Sequence, residues 1–124
     1  MAAATSPKGP YKLVTVNTAP ERAKRLVGKM IEGLSDRYQV IHEANCSQID
    51  EVHETVSRIQ PNVLFCASMW TPEEAEQIQS LARDANPSIV TYALPQGLQV
   101  QRGPDAVVEH LIENVPRLLD SAKA

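Results

Sequence analysis

The chain has 124 residues, 43% of them apolar, with 12 Lys and Arg set against 15 Asp and Glu for a formal charge of -3. That length fits one domain able to bury its own core, and the mixed charges leave no basic stripe for nucleic acid. No run approaches the roughly 18 apolar residues of a membrane span, and MAAATSPKGP has no signal-like apolar region, so a soluble cytoplasmic protein is expected.

Residues 1–10 read as a disordered leader and residues 11–124 as a single α/β domain. Tyr11 to Asn17 (YKLVTVN) is the first expected strand. Thr18 and Glu21 then stand in capping-box spacing, the hydroxyl facing the third amide and the carboxylate reaching back. The helix that follows repeats Ala23, Leu26, Val27, Met30, Ile31 and Leu34 at steps of three and four, with Arg22, Lys24, Arg25, Lys29 and Glu32 left to water. Tyr38 to Ala44 (YQVIHEA) reads as a strand nearer the sheet edge, with Val40 and Ile41 between polar neighbours. Ser47 is placed to cap a helix carrying Ile49, Val52, Val56 and Ile59, which Pro61 ends.

Val63 to Met69 is an apolar run without polar alternation, the mark of a strand covered on both faces. A second capping box, Thr71-Pro72-Glu73-Glu74, opens a helix buried through Ala75, Ile78, Leu81 and Ala82, and Asn86-Pro87 closes it. Ser88 to Leu94 is the fourth expected strand. Leu98 to Gln101 alternates apolar and polar residues, which suggests a short fifth strand at an edge. Gly103-Pro104-Asp105 starts the last helix, wide-faced from Val107 to Leu119, with Pro116 expected to loosen it near Ile112.

Strands alternating with helices over short connections predict a parallel sheet with helices on both faces, a three-layer α/β sandwich. The two most apolar strands belong at its centre, which predicts the flavodoxin-like, Rossmann-like order 2-1-3-4, with Leu98–Gln101 as an optional fifth. Ligands of such sheets bind beyond the carboxyl ends of the strands, where the strand order reverses. Here that crevice predicts Asn17, Thr18, Ser68, Met69, Trp70, Thr71 and Gln96 as ligand-binding residues, flanked by Leu94 and Pro95.

The chemistry of that crevice is restricted. Each helix opens with acid, at Glu21, at Asp50 and Glu51, at Glu73 and Glu74, and at Asp105, so the positive helix ends are already occupied and phosphate is not the expected ligand. Neither phosphate-cradling glycine motif is present. Ser68 stands in C-A-S-M-W, without the glycines of a nucleophile elbow. His42 and Glu43 are adjacent on one strand and point to opposite faces; His53 and His110 fall on helices. Two cysteines, Cys46 and Cys66, are too few for a disulfide framework and match no zinc spacing, so they read as small apolar fillers, with no metal and no cofactor expected. Trp70, the only tryptophan, can stack on a planar ligand, anchor a partner, or simply cover the start of its helix. Neutral hydrogen-bonding groups around it favour a neutral or cationic small molecule over an anion.

Gln60 to Trp70, QPNVLFCASMW, resembles the third strand of response-regulator receiver domains, where an apolar run leads to a phospho-accepting aspartate before Met-Pro. In this sequence Ala67 or Ser68 stands at the acceptor's place, Asn17 and Thr18 stand where the acidic pair follows the first strand, and no lysine precedes Pro95. The resemblance therefore implies a pseudo-receiver used for docking. A second segment, VNTAPERA from Val16 to Ala23, is similar to the N-R-T-x-E-x-A segment of NADP-linked dehydrogenases, but lacks its arginine, for which Arg22 or Arg25 would have to substitute. An ordinary capped helix explains the same letters.

Two functions of different class follow. One is a ligand- or partner-binding module, a homodimer pairing through the Leu98–Gln101 edge or a module docking another protein. The other is a small enzyme acting on a neutral organic substrate around Asn17, Ser68 and Trp70.

Overall fold

β1 (Lys8–Val16) is the spine of the computed structural model, which describes residues 8–122. It begins three residues before the expected Tyr11, so Lys8, Gly9 and Pro10 belong to the sheet; residues 1–7 of the expected leader lie outside the described residues. Beside it run β2 (Tyr38–Cys46), β3 (Val63–Cys66) and β4 (Val90–Ala93), all parallel, in the order β2-β1-β3-β4. This is the expected flavodoxin-like order. The connecting helices are α1 (Pro20–Leu34), α2 (Val52–Ile59, entered through a 3-10 turn at Ile49–Glu51), α3 (Pro72–Ala85) and α4 (Leu98–Ser121).

The three layers follow from alternation along β1. Tyr11 and Leu13 face one way and pack with Leu26, Met30 and Leu34 of α1 and with Val107, Leu111, Val115 and Leu119 of α4. Val14 and Val16 face the other way, onto Val52 and Val56 of α2 and Ala75, Ile78 and Ala82 of α3. β3 is buried on both faces, as its unbroken apolar run requires. Each fully buried Val, Leu, Ile or Met side chain among these contributes about 1.5–3 kcal/mol relative to exposure. Among the described residues, no helix is long and apolar enough to cross a membrane.

Several local expectations are corrected. Leu98–Gln101 is the start of α4 and not a fifth strand: Gly97 takes a left-handed φ of 85°, and the Gln101 amide donates to its carbonyl at 2.8 Å, closing a helical turn. Four residues of alternation satisfy one helical turn as well as a strand, and the left-handed glycine decides between them. The homodimer edge expected there therefore has no strand behind it. The break in α4 falls at Gly103 (φ 84°, ψ 174°), the only residue of this helix with non-helical dihedrals, so Pro116 keeps helical dihedrals. Ser47 does not cap the turn before α2; the Glu51 carboxylate instead accepts the amides of Ser47 and Gln48 at 2.8 and 3.0 Å.

Candidate functional site

The carboxyl ends of β1 and β3 meet where the strand order reverses, and Asn17 sits between them. Its amide donates to Cys46 O at 2.9 Å, and its side-chain oxygen accepts the Ala19 amide at 2.7 Å. That Asn17 turn replaces the expected Thr18–Glu21 box; the cap of α1 is Ala19, followed by Pro20. Thr18, exposed, turns its amide and hydroxyl toward Met69 Sδ at 3.2 and 3.0 Å, tying the β1–α1 loop to the β3–α3 loop.

Ser68 is buried, and both of its oxygens are engaged by the segment entering α4. Its carbonyl accepts the Gly97 amide at 2.9 Å and its hydroxyl accepts the Gln99 amide at 3.2 Å. Trp70 is 9% exposed, packed against the α2 and α3 side chains, and its indole N–H donates to Val16 O at 2.8 Å. The ring is therefore a core anchor with no face open to the crevice. Thr71 is exposed and forms the expected capping box, accepting the Glu74 amide at 3.1 Å while its own amide donates to the Glu74 carboxylate at 3.0 Å. Gln96 is exposed on the turn into α4.

Of the predicted set, the structure brings Asn17, Ser68 and Met69 around one small cavity and directs Trp70 and Thr71 away from it. That cavity is about 20 Å³ and is also lined by Arg22, Leu94, Gln99 and Val107. A second, of about 30 Å³, lies beneath it among Leu26, Val27, Phe65, Val107 and Leu111. Arg22 and Gln99 were not among the predicted residues. Arg22 was detectable from its place two residues into α1, beside the Asn17 turn; Gln99 was hidden by the strand reading.

A polar network on β1 and β2 was also missed. Leu13 pairs with His42 and Val14 with Ala44, so Glu43 is an extra residue in β2. This bulge turns both His42 and Asn45 toward Thr15. The Thr15 hydroxyl donates to Asn45 Oδ1 at 2.7 Å and lies at hydrogen-bond distance, 2.8 Å, from His42 Nε2; Asn45 Nδ2 donates to Asn17 O at 3.0 Å. Burial lowers the His42 pKa from its usual value, and the nearby Lys24 charge lowers it further against an opposing hydrogen bond to the Ala44 backbone. Thr15 was legible on the same face as Leu13, but the bulge that gathers its partners was not.

The other histidines join elements. His110 Nε2 meets the Tyr92 hydroxyl at 2.6 Å, linking β4 to α4, and His53 meets Asp84 at 3.0 Å between α2 and α3. Both cysteines are free and buried, and burial pushes the Cys66 thiol up to about 12, which keeps it protonated and unreactive. Among the described residues, no group of three or more His, Cys, Asp and Glu side chains is placed to hold a metal ion.

No family model matches the chain, and no curated protein matches it in sequence. Among solved structures it is similar to the signal receiver domain of the response regulator NarL from Mycobacterium tuberculosis, at 9% identity and a TM-score of 0.48, over 86% of this chain and 96% of that one. The likeness is one of fold and says nothing of chemistry.

Proposed function

We propose that the chain is a small binding module, with a receiver-like fold that carries no phosphotransfer chemistry and engages a ligand or a partner protein at the carboxyl end of its sheet. One observation carries this reading: the polar side chains at the crevice are committed to backbone groups. Asn17 holds the Ala19 amide and Ser68 the Gln99 amide. Ser68 has an amide for a partner where a nucleophile would need a base. The imidazole of His42 is engaged with Thr15 and that of His110 with Tyr92.

Incubation with acetyl phosphate and magnesium, followed by intact-mass measurement, tests the reading. The expected outcome is an unchanged mass. A stable phosphoryl adduct, on Ser68 or elsewhere at the crevice, would overturn it.

A further inference from the structure

We propose that residues 98–102 are a hinged lid over a site for a short aliphatic carboxylate. This rests on the binding-module reading and names the ligand class of the same crevice. The lid is a single helical turn between two glycines in left-handed conformation, Gly97 at φ 85° and Gly103 at φ 84°. Such residues let a segment leave and rejoin a helix without side-chain strain. Its outer residue, Val100, is 89% exposed. Its inner residue, Gln99, lines the cavity, and the Gln99 Oε1 atom is buried with no hydrogen-bond partner. Hydrogen bonds to the body are few: the Gly97 and Gln99 amides reach the Ser68 carbonyl and hydroxyl. A buried orphan acceptor is costly, so the closed position is weakly held.

The electrostatics beneath the lid select an anion. Arg22 lines the cavity, and neither cavity is lined by Asp or Glu. Among the described residues the ion pairs join Lys8 to Asp120 and His53 to Asp84, and neither uses Arg22. Acid was expected at the start of every helix, and the starts that follow Asn17 and Ser68 are those of α1 and α3. In the structure Glu21 lines a groove between α1 and β2 instead, and Glu74 is taken by Thr71. A carboxylate can be met by the Arg22 guanidinium, the Ser68 hydroxyl and the amide group of Gln99 once its side chain has turned by half a rotation. Below these, Leu26, Phe65, Val107 and Leu111 offer an apolar floor for a short hydrocarbon tail. The closed cavities each have room for about one water. A carboxylate with a tail therefore enters only as residues 98–102 lift.

The test is an amide chemical-shift titration of the whole chain with acetate, butyrate and hexanoate, with hexylamine and hexanol as controls. The expected result is saturable shifts centred on Ser68, Gly97 and Gln99, affinity rising about fourfold per added methylene, and no such shifts with hexylamine. Arg22→Gln should weaken hexanoate binding about tenfold or more, while Arg22→Lys retains most of it. Hexanol binding as well as hexanoate, equal binding by Arg22→Gln, or no saturable shift with any carboxylate would overturn the proposal. Should Arg22→Gln fail to fold, Arg22→Lys and the amine control still decide. A negative result here alongside an unmodified mass with acetyl phosphate removes the carboxylate and leaves the module reading standing.

Discussion

Two connections leave the carboxyl edge of the sheet side by side, and they are built to opposite specifications. The β3–α3 connection is pinned at each step: Ala67 donates to Val16 O at 3.1 Å, Trp70 is buried and donates to the same carbonyl, and Thr71 and Glu74 cap α3 reciprocally. The β4–α4 connection and the first turn of α4 instead run between two glycines of positive φ, Gly97 and Gly103, expose Val100 and leave Gln99 Oε1 without a partner. The contrast teaches that this edge has one fixed wall and one movable wall. Local stability within a fold follows the density of buried contacts and satisfied hydrogen bonds, and here the two differ over a few ångströms of chain.

The largest effect should come from breaking the fixed wall at its anchor. Trp70→Ala removes a buried indole and is expected to cost about 3–5 kcal/mol in urea unfolding. Trp70→Phe keeps much of the packing and removes one of the two donors to Val16 O, the Ala67 amide remaining, so its cost should fall to roughly 0.5–1.5 kcal/mol. If both variants unfold within a few tenths of the parent, Trp70 is no anchor and the two walls are alike.

A smaller break targets the cap alone. Thr71→Ala should cost about 1 kcal/mol, the usual loss for a helix without its capping hydroxyl. The same urea titration measures it, and a neutral outcome would mean that Pro72 and the Glu74 carboxylate hold the start of α3 unaided.

The difference between the walls also explains what could be read in advance. The α1 stripe, the apolar run of β3 and the Thr71–Glu74 box are local patterns whose meaning is settled within a turn or two; all three elements appear, β3 ending at Cys66, short of the Met69 that the run reached. Strand order followed from which strands were most apolar, a property of composition more than of contact. The failures are non-local. Trp70 read as a crevice residue from its place just past the third strand, whereas its partner is Val16, 54 positions away. His42 and Asn45 converge on Thr15 only through an extra residue in β2, which no alternation reveals. At Leu98–Gln101 the letters support either element, and the left-handed Gly97 selects the helix.

The movable wall yields the smallest and most discriminating change. Gln99→Leu removes the orphan acceptor and keeps a side chain of similar length over Leu94 and Val107, so the closed lid should gain roughly half a kcal/mol or somewhat more. The gain should appear first in amide exchange. Residues 98–102 open locally, and the amides of Gly97, Gln99 and Gln101 report that opening, whereas Leu111 and Val115 exchange through more global unfolding. In the parent chain the first group should exchange faster than the second. In Gln99→Leu the first group should slow while the second hardly moves. Thr71 offers the control, because its alanine variant should loosen α3 without touching exchange at Gly97. If Gln99→Leu instead speeds exchange at Gly97 and Gln101, the glutamine side chain is what fastens the lid. The segment would then be a second fixed wall, closed by a contact that the leucine cannot replace.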